Sequence, residues 1–186
     1  AGYGVTVSQS GVMNYLNKRN IEYQIISHIP AYTSHNTARA THVPESELAK
    51  TLVVRAGQQF WMAVLPADHR LSERLLKRVL EVHHVHLATE EELGALFPDC
   101  EVGAMPPFGN LYGLPVIVDQ SLTERGEIVF NACTHTEAVR MKFADFERLV
   151  KPLIGEIAER PIGRGEHAPE YRFEANYPDD RNNMMS

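Results

Sequence analysis

Apolar residues recur along this chain at helical spacing in some stretches and in alternating or continuous runs in others. The changes of period predict the order of its elements. Ser10-Gly11-Val12-Met13-Asn14-Tyr15-Leu16 opens a short amphipathic helix, with Ser8 or Ser10 as the cap. Tyr23 to Ile26 reads as a strand that runs into a loop starting at His28. Ser34 to Ala40 reads as a helix, and Pro44 is placed to start another short helix through Glu45-Ser46-Glu47-Leu48-Ala49. Thr51 to Arg55 is a strand, Gly57 with Gln58 or Gln59 a turn, and Phe60 to Leu65 its hairpin partner. Ser72 to Leu80 is a helix with Leu75, Leu76, Val79 and Leu80 facing inward, followed by a brief strand at His84-Val85-His86-Leu87. Thr89-Glu90-Glu91-Glu92 is a capping box that opens a helix reaching about Leu96. Leu114 to Asp119, Ile128 to Asn131 and Ala138 to Met141 read as strands, and Ala144 to Val150 as a closing helix with Asp145 near its positive end. Short helices among antiparallel-looking hairpins imply an α+β fold rather than a regular βαβ array.

The pattern weakens after Pro161, where Gly163, Gly165, Pro169 and Pro178 interrupt a polar stretch. Residues 8–160 are therefore expected to form the domain. Residues 161–186 are expected to form a tail, mobile or partly docked through Tyr171, Phe173 and Tyr177. A chain of 186 residues can bury a full core without disulfides or structural metal. No run approaches the ~18 apolar residues of a membrane span. Cys100 and Cys133 are too few for a disulfide scaffold and suit a reducing compartment, so a cytoplasmic location is expected.

A net charge of −6 argues against non-specific coating of nucleic acid, while leaving local contact with an RNA end open. Positive charge is unevenly placed. Arg70, Arg74, Lys77 and Arg78 fall at near-helical spacing and would set several cations on one face, as a phosphate contact or as an ordinary solvated surface.

The densest punctuation is Gly103-Ala104-Met105-Pro106-Pro107-Phe108-Gly109. Two prolines fix φ and remove amide donors, and the flanking glycines permit positive φ or close approach. A stiff loop of this kind can turn its remaining N–H groups toward an anion or a carbonyl. Lys50 stands where a predicted helix meets an apolar strand, as a helix-end surface lysine or as a sheltered point charge for a carbonyl or phosphate oxygen. His84 and His86 share a strand face, but no third ligand stands at a characteristic spacing, so no metal is expected. Cys133 and His135 form either a thiolate–imidazole pair or a core cysteine beside a pocket histidine. The second is preferred, because no helix N-terminus or glycine-rich elbow precedes Cys133. Neither GxGxxG nor GxxxxGK[ST] occurs, which leaves nucleotide-dependent chemistry and its cofactors unsupported.

In order along the chain, His28-Ile29-Pro30-Ala31-Tyr32-Thr33, Lys50 with Thr51-Leu52-Val53-Val54, Pro66-Ala67-Asp68, Gly103 to Gly109 and Asp119 resemble the YbaK/prolyl-tRNA synthetase editing-domain family. The similarity spans residues 10 to 153. It implies a mixed, curved sheet wrapped by short helices, and an aminoacyl-tRNA deacylase acting in trans without a cofactor. By the same resemblance, Lys50 contacts the aminoacyl ester or the terminal nucleotide, and amides around Gly103 and Ala104 hold the oxyanion. Met105, Pro106, Pro107, Phe108, Gly109 and His135 would shape the amino-acid pocket, with His28, Tyr32 and Thr33 on the nucleotide side. The implied partners are the 3′ end and acceptor stem of aminoacyl-tRNA, and an aminoacyl-tRNA synthetase; neither membrane nor DNA is among them. The family pattern carries a glycine near Cys133, a departure that bears on that pocket wall. The alternatives are a non-catalytic sensor of aminoacyl-tRNA, within a larger signalling protein, and a general small-molecule esterase.

Overall fold

The structure, a computed structural model, describes residues 11–160 and the backbone of residues 171–172. The chain begins with α1 (Gly11–Lys18), β1 (Tyr23–Ser27) and α2 (Ser34–Thr41). A hairpin of β2 (Ala49–Ala56) and β3 (Gln59–Pro66) follows, then β4 (Arg70–Ser72), α3 (Glu73–Leu80), β5 (Val85–Leu87) and α4 (Glu90–Leu96). After the Gly/Pro loop come β6 (Val116–Asp119), β7 (Glu127–Asn131), β8 (Glu137–Lys142) and α5 (Phe143–Val150). Short strands β9 (Leu153–Gly155), β10 (Ala158–Glu159) and β11 (Tyr171–Arg172) complete the described elements.

The largest sheet has the order β5-β2-β3-β6-β9, antiparallel on the β5 side of β3 and parallel through β6 and β9. A second sheet, β1-β8-β7, is antiparallel and is joined to the first by a parallel bridge between Leu48 and Val129. The third, β10-β4-β11, receives the backbone of Tyr171–Arg172 as a parallel strand. The largest sheet is therefore mixed, as the family resemblance implied, and the antiparallel hairpin of the sequence pattern is its β2-β3 part. The rest of the expected tail lies outside the described residues.

Period-2 alternation in β3 explains why both sheet faces are covered. Met62 and Val64 enter a core with Val12, Met13 and Leu16 of α1, Phe130 of β7 and Phe146 of α5. Ala63 and Leu65 face a second core with Leu71, Leu76 and Ile157. A third cluster seats Ala38 of α2 against Leu48, Val129 and Ala138. Each fully buried Leu or Phe contributes about 1.5–3 kcal/mol over an exposed one.

Local signals act as their chemistry requires. Gly57 opens the two-residue turn between β2 and β3 with φ 62°, a conformation that favours glycine. Thr89 and Glu92 form the reciprocal capping box of α4, and the Thr89 backbone N–H holds the Glu92 carboxylate below its ordinary range. The helix expected from Pro44 to Ala49 is absent. Glu47 and Leu48 donate to the Pro44 carbonyl in a single turn, and β2 then extends back to Ala49 opposite Pro66. Sheet pairing with β3 outweighs helix propensity there.

Asp119 is 2% exposed at the end of β6 and accepts from the backbone N–H of Ile157 (2.9 Å) and Ala158 (3.0 Å) through Oδ1. Its Oδ2 accepts from the Ser121 amide at 3.2 Å and from the Ser121 hydroxyl. One carboxylate thus ties the central sheet to the start of β10.

Candidate active site

Three sequence-distant segments are laced together by hydrogen bonds. In the loop after β1, the His28 amide donates to Thr136 O (2.8 Å) and the Ala31 amide to His135 O (3.0 Å). The exposed Tyr32 ring lies 4.8 Å from the His135 ring, tilted by 49°. His28 Nδ1–H donates to the Ile29 carbonyl at 2.8 Å, which leaves Nε2 as an acceptor; it is buried and has no partner among the described residues. Thr33 caps α2, its Oγ1 accepting from the Asn36 amide at 3.1 Å.

The Gly/Pro loop is gripped from the other side. The Glu101 amide donates to Cys133 O (2.9 Å), and the Cys133 amide donates to Ala104 O (2.8 Å). The Glu101 carboxylate accepts from the His135 amide at 2.8 Å. His135 Nε2–H donates to the Val102 carbonyl at 2.9 Å, with Glu101 Oε2 3.9 Å from the same nitrogen. This fixes the imidazole, 8% exposed, against the loop. A Cβ at Gly103 would lie 3.6 Å from His135 Cε1, and Gly103 itself has φ 88°. Side chain and backbone of Glu101 organise this junction, a role that nothing in its sequence context signalled.

The loop residues divide by task. The Ala104 amide, expected to serve an oxyanion, is committed to Glu101 O at 3.0 Å, because the loop closes a tight turn on itself. The Gly103 amide has no partner among the described residues, and Gly103 is exposed. Met105, Pro106 and Pro107 are buried. Phe108, expected in the pocket, is fully enclosed between Phe130 and Phe146, both at 5.5 Å between ring centroids. Gly109 lies so close to Leu114 that a Cβ would stand 2.3 Å from its carbonyl oxygen. The far end of the loop is therefore spent on anchoring, and the end nearest Gly103 faces outward.

Lys50 belongs to β2 rather than to a helix end. It is 6% exposed and opposite Leu65 of β3, the strand that lies between β2 and the Asp119-bearing β6. It is thus a sheltered lysine within the sheet, approached from a different element than the Gly103–His135 junction.

The expectation of free thiols is overturned. Cys100 and Cys133 form a disulfide across a separation of 33 residues, with Cα atoms 4.3 Å apart. No thiolate is then available to His135. Cys133 holds φ 68°, a left-handed conformation that favours glycine, at the place where the resembling family has one nearby. Tyr112 OH lies 3.3 Å from Cys100 Sγ and donates to Asp99 Oδ2 at 3.0 Å. Burial, helped by the Asp99 charge, pushes its phenol well above the ordinary tyrosine range.

The basic stripe is partly neutralised. Lys77 Nζ pairs with Glu73 at 2.7 Å, and Arg74 reaches Glu159 at 3.7 Å. Arg70 lies in β4, half-buried, its Nε without a partner among the described residues, and Arg78 is in the last turn of α3. His83, His84 and His86 are exposed, and the group of potential ligands found among the described residues is Asp99, Cys100 and Cys133 instead. No helix among the described residues is long and apolar enough to cross a membrane.

A mixed sheet carries the exposed Gly103 beside a clamped His135, and this α+β arrangement sets the class of the domain. The comparisons give the class its family: residues 28–149 match the aminoacyl-tRNA editing domain, and the chain belongs to that family. It is 26% identical over 152 residues to the multifunctional Ser/Thr-tRNA deacylase ProXp-y of Escherichia coli K12, covering 79% of this chain and 90% of that protein. It is 23% identical over 150 residues to the prolyl-tRNA editing protein ProX of Acetoanaerobium sticklandii, covering 77% and 91%. Against the proline–tRNA ligase of Bacillus cytotoxicus it is 28% identical over 92 residues, half of this chain but only 15% of the ligase. The fold superimposes on the crystal structure of hypothetical protein APE2540 with a TM-score of 0.72 at 22% identity, covering 80% of this chain and 99% of the other.

Proposed function

We propose that this chain is a trans-editing deacylase that hydrolyses the ester of a mischarged aminoacyl-tRNA. The observation that carries the reading is the Gly103 amide, exposed and without a partner among the described residues, on a loop held rigid by Glu101, Cys133 and His135. An aminoacyl ester already has a ribose oxygen as leaving group, so a placed water and a stabilised oxyanion suffice. Water adds to the carbonyl carbon, and the Gly103 N–H donates to the oxygen that becomes negative. The tetrahedral species collapses by releasing the ribose oxygen, which takes up a proton, and the amino acid leaves as the free acid. The vicinal ribose hydroxyl orients the water. Lys50 holds the carbonyl or the terminal adenosine, and the exposed Tyr32 with His28 flanks the nucleotide. Family membership and the two free-standing relatives, covered over nine-tenths of their length, support this assignment. The substrate partner is the 3′ end and acceptor stem of tRNA, the setting is the cytoplasm, and an aminoacyl-tRNA synthetase is a natural associate.

A panel of tRNAs carrying wrong amino acids tests the reading, with Lys50→Met as the control because it keeps side-chain volume. The wild-type chain should release amino acid from at least one member. The folded variant should be slower by about tenfold or more, the scale of one charge-assisted contact to a developing oxyanion. Binding of charged tRNA without release from any member would replace the enzyme by a sensor.

A further inference from the structure

The deacylation chemistry needs no sulfur, yet the disulfide sits at the base of its candidate site. Cys100 lies three residues before Gly103, and Cys133 two residues before His135. Between them run the two backbone hydrogen bonds that join Glu101 and Ala104 to Cys133, and the clamp of Glu101 and Val102 on His135. Cys133 is 3% exposed, whereas Cys100 is only half-buried, so a small thiol can approach the bridge from the Cys100 side. Cys133 is also a non-glycine residue at φ 68°, a backbone state that an L side chain leaves readily when nothing holds it.

We propose that Cys100–Cys133 is a reversible thiol–disulfide exchange site, taking low-molecular-weight thiols and disulfides, whose oxidation state sets the posture of Gly103 and His135. Two equivalents of a small thiol RSH reduce the bridge to the Cys100 and Cys133 thiols and leave one RSSR. The first RS⁻ attacks the Cys100 sulfur, the Cys133 thiolate departs and takes a proton, and the second thiol displaces Cys100 from the mixed disulfide. The reverse exchange consumes RSSR and restores the bridge. When the bridge is closed, the turn at Cys133 is covalently held and the Val102 carbonyl stays under His135 Nε2. When it is open, the turn relaxes and carries His135 and the loop apart. The oxidised form is thus the ordered, faster one.

The proposal rests on the deacylase reading for its effect on turnover, so the test has an arm independent of it. The protein is prepared with oxidised and with reduced glutathione, and thiol titration counts free cysteines in each. Turnover is then measured on aminoacyl-tRNA, and amide hydrogen exchange is followed over residues 101–104 and 133–136. The expected result is no free thiol in the oxidised sample and two in the reduced one. The reduced sample should turn over at least about threefold more slowly, since small misplacements of a reacting geometry are costly. Faster amide exchange in those two segments should accompany the loss. A Cys100→Ser, Cys133→Gly variant, whose glycine accepts the positive φ, should be indifferent to the glutathione couple in both readouts. Two titratable thiols after oxidation, or equal exchange rates in two forms that differ in thiol count, would overturn the switch. Equal turnover in those two forms would overturn its effect on catalysis. If neither form releases any amino acid the deacylase reading falls, and the exchange rates alone decide: unequal rates support the switch, equal rates remove it.

Discussion

At the scale of single residues, backbone geometry decides more of the site than side-chain chemistry does. Gly109 has no room for a Cβ, which would stand 2.3 Å from Leu114 O and 2.6 Å from Val116 Cγ2. Gly109→Ala should therefore destabilise the fold by about 1–3 kcal/mol, the usual range of overpacking, with a lower denaturant midpoint at unchanged slope. Turnover at a temperature where the variant stays folded should also fall, because the loop is displaced at its anchored end. A midpoint equal to wild type would mean that the Leu114 segment gives way freely. The loop, His28, Lys50 and His135 stood out in the sequence as candidates, since glycine, proline, histidine and lysine in order are visible without coordinates. Phe108 and the Ala104 amide were assigned to the pocket, because spacing along the chain does not tell which side of a turn faces the core. Glu101 went unnoticed for a related reason: its importance comes from residues 32 and 34 positions away.

Among the elements, those with several turns or long alternating runs were legible, and those made by tertiary pairing were not. The capping box at Thr89, the two-faced β3 and the amphipathic α3 carry their signals locally. The strands β4, β9 and β10 span three, three and two residues and exist because neighbouring strands complete their hydrogen bonds. The same logic turned Pro44–Ala49 from an expected helix into a turn and the start of β2. Asp119, at the end of β6, holds the start of β10 through a carboxylate that accepts two main-chain amides from beyond β9. Asp119→Ala leaves those amides unpaired in a buried setting, at about 1–3 kcal/mol each. The variant should melt well below wild type, and its amide exchange should rise first at Ile157 and Ala158. Asp119→Asn keeps an acceptor and should lose less. Equal losses for the two would indicate that charge, rather than acceptor capacity, holds the junction.

For the molecule as a whole, charge bears on how tRNA is met. The chain carries a net charge of −6, and Glu73 and Glu159 already engage two of the four basic residues from Arg70 to Arg78. Reversing Arg74 and Arg78 to Glu should weaken tRNA binding and reduce the slope of log K against log[salt] by about one or two, if both meet phosphates of the acceptor stem. Hydrolysis of a short aminoacyl-adenosine ester, which never reaches the stem, should stay nearly constant. Loss on both substrates would assign the stripe to the fold, and loss on neither would move docking to another surface. The junction brings together residues 28–33, 101–109 and 133–136, segments joined by contacts distant in sequence. During synthesis, a nascent chain that ends before Cys133 has its Gly103 loop but neither the bridge nor the histidine that grips it. The junction of Gly103 and His135 can therefore close only once residues 133–136 have been made, so it forms in one step rather than growing with the chain.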